Sequence, residues 1–503
     1  MTFTYIFFPV SIFLYFISIS GFGKLLLKTC RLDNLLNNHY RNIEFFFGLF
    51  FIGFVSLLFN LKYNFSDIYS VSIITIGILI YLFFFIYNPK KIAEIYFIFI
   101  IILISFFLSF FSLSNDDFFG YHLKTILNFK DYNSFDITHG RTTSYNSHWL
   151  LINSAYFLKS FPVSIFCILS LLYSLTIMDF YKSFKYNYEN KNYIPSLFSF
   201  FCLVFFIGVL NQYKDFGTDV PGQIILFYFL LIFFEKQKVI LNKNDKKIFA
   251  ILVFLSMFSF VIKIYNGLIF IFLFFIFLKL KNKLYLLITS AFISIPTFFW
   301  ILQNYIISKC LIWPLTFLCF ANLKTSKIEL QMIEQFAKGD FTLSSNIDGI
   351  NWVSMWFANH FHKIIETYAL YILILFMPPL IYYIRLNHSN KSIYLKEVKN
   401  FFYSFYISNK SFISFILISN IIWFIFIPAY RFGIFFNLSL VVFIIIPFWN
   451  EIIKSGKKFY FNSFKIIFSI ATIFFLIENI TKYSNYINRH GYIWPNIEIS
   501  SLK

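Results

Sequence analysis

The chain has 503 residues, of which 59% are hydrophobic and only 13% charged, and its mean hydropathy is +0.72. A soluble domain carries about 25% charged residues, so this chain cannot cover itself with polar surface and needs lipid to do so. Its net charge of +19 is spread over many short loops rather than gathered in one patch, which argues against a nucleic-acid partner.

Crossing the hydrocarbon core as a helix takes about 20 apolar residues, and runs of that kind recur along the chain. Lipid admits only helices or closed barrels. The runs here are continuous, without period-two alternation, so they read as helices. In chain order the predicted spans lie at 3–20, 44–60, 69–87, 92–113, 161–180, 194–210, 220–234, 248–262, 265–278, 284–303, 366–384, 411–427, 432–449 and 464–480. The fold class is therefore all-α, a polytopic transmembrane bundle of about 13–14 helices. The first run has no basic leader and no small-residue cleavage site, so it reads as a retained helix. Residues 146–158 read as a short helix at the membrane surface. The 79 Phe and 34 Tyr fit AT-rich codon usage in a bacterial source better than a sugar-stacking surface. Cys30, Cys167, Cys202, Cys310 and Cys319 show no metal spacing and read as small buried hydrophobes.

The loops alternate in charge. Those after the odd-numbered spans hold 26 of the 42 Lys and Arg. That surplus marks the cytoplasmic face, which puts both termini on the other side. The unusual polar residues then fall on that outer side. The loop 114–147 holds Asp116, Asp117, His122, His139 and Arg141, with His148 just after it. The next outer loop ends in Thr218-Asp219-Val220-Pro221, the next is the tight turn around Lys263, and the last short one carries Arg431.

Each has an ordinary explanation as well. Asp116 and Asp117 also suit a solvated helix end. Asp219 also suits the N-cap of the helix that follows, with Pro in its first turn. Lys263 sits between two apolar runs, where an isolated charge costs about 2.5–3.5 kcal/mol at a helix centre unless it snorkels. Arg431, beside Pro428 and Tyr430, also suits an interfacial anchor, and so does His148 before Trp149. His360 and His362, two apart, do not share a helix face, and no metal site is expected. Together these residues place carboxylates beside long cations at one face. Carboxylates can take a proton from an acceptor hydroxyl. Lys and Arg can hold a phosphate and stabilise it as it leaves. That is the chemistry of glycosyl transfer from a lipid-linked phosphate.

The order of these motifs resembles the GT-C superfamily of polytopic glycosyltransferases, which includes protein O-mannosyltransferases and lipid A aminoarabinose transferases. Asp116-Asp117 with His122 is similar to the family's first outer loop. Residues 118–129 and 146–158 stand where its interfacial helices lie. Thr218-Asp219-Val220-Pro221 and the turn Val261–Gly267 follow in the family's order, and Arg431 is a looser match to its later basic residues. Four features differ: Asp117 stands where Glu is common, Ser147-His148-Trp149-Leu150 replaces a His-Pro-Pro-Leu element, a short tail from Thr481 stands where some members carry a large soluble C-terminal domain, and no Trp-Trp-Asp triplet appears.

The resemblance implies four segments: an N-terminal addition at 1–91, a catalytic core at 92–315, an outer loop at 316–365, and C-terminal helices with a short tail at 366–503. It implies an inverting transferase in a bacterial inner membrane, with a polyprenyl-phosphate-linked sugar donor and a lipid, glycan or protein acceptor. No cofactor or metal is implied. Asp116 or Asp117 would be the base. Asp219 would orient the acceptor or loop. Lys263 and Arg431 would hold the donor phosphate, with His122 and His148 binding substrate. A polysaccharide polymerase, or a transporter or flippase of lipid-linked sugars, are the rivals. The polymerase is disfavoured by having only Arg141, Arg431 and Arg489 on the outer side.

Overall fold

The computed structural model describes residues 2–32, 41–87, 91–109, 118–137, 146–209, 217–243, 245–313, 315, 318–320, 335, 338, 352–426, 428–455 and 457–490. Among them are eighteen α-helices and no strand. In chain order they are α1 (Thr2–Thr29), α2 (Arg41–Asn60), α3 (Asp67–Ile86), α4 (Lys91–Ser109), α5 (Leu123–Asp131), α6 (His148–Tyr156), α7 (Cys167–Glu189), α8 (Tyr193–Val209) and α9 (Asp219–Lys243). There follow α10 (Lys246–Ile262), α11 (Ile269–Lys279), α12 (Lys283–Ser308), α13 (Trp352–Trp356), α14 (His362–Arg385), α15 (His388–Ser408), α16 (Lys410–Phe426), α17 (Ile434–Ser455) and α18 (Lys457–His490).

Each of the fourteen predicted spans coincides with a helix. Eight described helices are long and apolar enough to cross a membrane, or up to ten if each of two bent pairs is one span. The chain is an all-α integral membrane protein. Polar ends are closed locally: the Asp245 side chain accepts from the backbone N–H of Lys247 and Ile248 at 3.0 and 3.3 Å, satisfying two orphan donors of α10. The main apolar core runs from Phe8 in α1 to Phe475 in α18, so α1–α3 share their packing with the rest of the bundle.

Two polar ends bound this core. At the basic end, Lys24 and Arg41 both pair with Glu94, and Tyr81 donates to it at 2.8 Å. Asp179 of α7 accepts from the Asn42 N–H at 2.8 Å and from the Tyr228 hydroxyl at 3.2 Å, tying α2, α7 and α9 together. Lys247 donates to the Arg31 carbonyl at 3.0 Å, and Gln237 to the Asn409 side chain at 3.1 Å. Segments that the charge count assigned to one side do meet. At the opposite end, Asn60, Ser134, Gln303 and Asn146 form one buried chain of hydrogen bonds.

Two expectations need correction. Residues 148–156 do form a helix, α6, but not one that lies free at the edge of the bundle: all nine of its residues are buried within the protein. Its backbone is drawn inward, with Tyr15 donating to the Tyr156 carbonyl and Ser18 hydrogen-bonded to the Tyr156 hydroxyl at 2.8 Å. Cys310 and Cys319 are not unpaired core residues but a disulfide, and Cys30 is exposed, while Cys167 and Cys202 are buried as expected.

Candidate functional site

The site is built on three chain breaks at the end opposite the basic one. Asp219 is the first residue of α9. Lys263 caps α10 in an extended conformation (φ −149°, ψ 119°), and a 3-10 turn, Ile264–Leu268, follows before α11. Arg431 sits in a second 3-10 turn, Tyr430–Phe432, between α16 and α17. Turns of this kind aim side chains that a continuous helix would spread around its circumference.

The three side chains converge. Lys263 Nζ lies 2.6 Å from Asp219 Oδ1, and Arg431 Nε lies 3.5 Å from Asp219 Oδ2. Lys263 also donates to Thr218 Oγ1 at 3.2 Å, and the Tyr265 hydroxyl to Asp219 Oδ1 at 3.3 Å. Phe432 stacks on Tyr265 with ring centroids 4.7 Å apart, and the Lys263 ammonium lies 4.9 Å from the Phe432 ring. Asp219 stands at the mouth of α9, ahead of its apolar run. Burial alone would raise its pKa. Lys263 and then Arg431 outweigh burial and hold the carboxyl below its ordinary range, helped by the charge of nearby His122.

The turns are held from behind. Ser259 donates to the Gly222 carbonyl at 2.8 Å, and Asn266 to the Ser259 carbonyl at 3.3 Å, which fastens the Lys263 turn to the first turn of α9. The approach is close enough that a Cβ at Gly222 would lie 2.3 Å from Asn266 Nδ2. On the other side, Gln223 donates to the Arg431 carbonyl at 2.8 Å. Trp356 and Trp423 donate to the carbonyls of Pro428 and Ala429, which positions the Arg431 turn. A recess between Asn146, Trp300, Asn304 and Trp313 opens beside Ile262 and Ile264, the neighbours of Lys263.

The expected site residues divide into three groups. Asp219, Lys263 and Arg431 meet, and His122, in the π-helical turn Phe118–His122 that leads into α5, is close enough for its charge to act on Asp219. His148 does not join them. Its ring packs against Phe50 and Phe258, and a Cβ at Gly53 would lie 2.1 Å from its Nε2. Burial pushes its imidazole down to about 4, so it offers no charge to a substrate at neutral pH. Asp116 and Asp117, like His139 and Arg141, lie outside the described residues. Tyr265, Gln223 and the two tryptophans escaped the sequence reading. Tyr265 alone had a local signal, two residues after Lys263 in the same turn.

Over residues 5–438 the chain matches a family described as a domain of unknown function, DUF8201. It belongs to the DUF8201 family. No curated protein and no solved structure matches it. In this DUF8201 member the matched stretch takes in Asp219, Lys263 and Arg431 and ends within the first turns of α17, whereas α18 lies beyond it.

Proposed function

We propose that this DUF8201 protein is a membrane glycosyltransferase that moves a sugar from a polyprenyl-phosphate donor to an acceptor hydroxyl at the outer face of a bacterial cytoplasmic membrane. The observation that carries this is the convergence of Lys263 and Arg431 on the Asp219 carboxylate. A pair of cations that grips one oxyanion has the spacing and charge to grip another, the donor phosphate. In the resting protein Asp219 serves as the anion. As the donor enters, its phosphate takes up the inner faces of Lys263 and Arg431, and Asp219 is left to fix their positions.

In the transfer, the acceptor oxygen bonds to the anomeric carbon, the bond from that carbon to the phosphate oxygen breaks, and the cations stabilise the departing phosphate. The hydroxyl proton goes to a carboxylate. Asp219 suits that role poorly, because its lowered pKa leaves it a weak proton acceptor. The base is assigned instead to Asp116 or Asp117, whose segment runs into His122 beside Asp219. The outer placement draws support from the Cys310–Cys319 disulfide at the site end, since disulfides persist in oxidising compartments, and from the lysine-rich loops at the opposite end.

The test is transfer from a polyprenyl-phosphate sugar in proteoliposomes of the wild type, Asp116→Asn, Asp117→Asn and Lys263→Ala, at matched folded protein. Loss of transfer in one Asp variant supports the assignment and names the base. Full activity in both removes this mechanism. A wild type that moves lipid-linked sugar across the bilayer without transferring it favours a flippase.

A further inference from the structure

The segment between α14 and α16 reads in the sequence as a basic loop, yet it is a 21-residue helix, α15. It meets α16 at 82° across a break at Asn409. Taken as the spanning arm of this bent pair, α16 leaves α15 in the membrane plane, over a length of about 30 Å at 1.5 Å per residue. One stripe faces the protein: Tyr394, Val398 and Phe405 are buried, Tyr394 donates to the Phe448 carbonyl at 3.1 Å, and Phe405 stacks on Phe443 at 4.7 Å. The elbow is pinned to α9 through Gln237 and Asn409.

The outward face has two characters. Leu395, Phe402, Tyr403, Tyr406 and Ile407 are exposed apolar or aromatic groups. Lys396 and Lys399 are exposed among them, with no acidic partner among the described residues. At the elbow, Lys410 opens α16 near enough to Lys279 at the end of α11 for the two charges to act on each other. Glu397 is the only acid in α15. An apolar and aromatic surface interleaved with lysines, on a helix lying in the plane, matches the boundary between acyl chains and anionic headgroups.

We propose that α15 and its elbow are an anionic-phospholipid surface at the basic end of the bundle, with Lys396, Lys399, Lys410 and Lys279 gripping headgroup phosphates. The occupant is lipid rather than a second copy of the chain: unpaired like charges would repel their own image across a two-fold axis, whereas a phosphate layer neutralises them. The proposal is independent of the transferase reading, because none of these residues belongs to the site at Asp219.

The experiment has two readouts on the full chain in detergent and in vesicles. Native mass spectrometry measures retention of phosphatidylglycerol over phosphatidylcholine by the wild type and by Lys396→Gln/Lys399→Gln/Lys410→Gln. A preference that falls by roughly fivefold per lysine removed is expected. A nitroxide on Tyr403→Cys in a Cys30→Ser background reports depth, and headgroup-level burial is expected in vesicles containing phosphatidylglycerol. Unchanged lipid retention in the triple variant overturns the proposal. So does a water-exposed nitroxide, or spin–spin coupling between labels that shows a second copy on this face.

Discussion

Two charged clusters close the two ends of this bundle, and they are built differently. At the basic end, Lys24, Arg41, Glu44, Glu94 and Tyr81 all stand inside regular helices. The central carboxylate, Glu94, has a side chain only 3% exposed. At the other end, Lys263 and Arg431 stand on breaks between helices, and Arg431 is 41% exposed. The first cluster encloses its central carboxylate among helices and fixes their positions. The second is open on one side and rests on turns, where a rigid scaffold can present groups to a ligand. Similar ionic chemistry thus serves packing in one place and, on our reading, binding in the other.

The contrast predicts opposite kinds of damage. Lys263→Ala should lower sugar transfer by about 10²–10³-fold, the weight of one electrostatic contact to the leaving group, while the folded fraction after size-exclusion stays near wild type. Glu94→Ala should do the reverse. It removes one of the two carboxylates that neutralise Lys24 and Arg41, leaving Glu44 alone to face both, costs about 1–3 kcal/mol, and should appear as lost folded yield and a lower Tm. Transfer per folded molecule should stay close to normal. If Lys263→Ala unfolds the protein and Glu94→Ala does not, the comparison is wrong.

A finer probe is Gly222→Ala. Its methyl group would push Asn266 out of the contact that fastens the Lys263 turn. About a tenfold loss of transfer is expected with little change in Tm, since the buried apolar area is untouched. The smallest effect is expected at His148. Replacing it with Leu keeps an apolar filler between Phe50 and Phe258 and should cost less than about 1.5 kcal/mol, with transfer within twofold of wild type. A large loss there would return His148 to the site.

Acidity probes the second cluster directly. Asp219 has a folded pKa below its ordinary value, so its stabilisation is complete above about pH 4 and is lost as pH falls through the lowered folded value. The Tm difference between wild type and Asp219→Asn should therefore be constant from about pH 5 to 8 and shrink only in acid. A difference that varies through neutral pH would mean that Asp219 is not held by its two cations.

Much of this molecule was legible along the chain. Membrane insertion and helix position depend on the length and hydropathy of contiguous runs, so residues 44–60 or 92–113 declare themselves without any partner. The gathering of lysines in alternate loops is equally local. What the chain alone could not decide is which distant residues share a place. Gln223 and Arg431 are 208 positions apart, and their hydrogen bond exists only because α9 and α17 pack together. Composition could not show that the helix at 148–156 turns inward, because an apolar segment beside a membrane satisfies lipid and protein equally well. Only the hydroxyls of Tyr15 and Ser18 waiting at its far end settle it. The Cys310–Cys319 pair and the 82° bend between α15 and α16 are of the same kind. Hydropathy is a property of single segments and was readable from sequence. Convergence of charges and the direction of a helix depend on what packs against them, and only the tertiary structure supplied that.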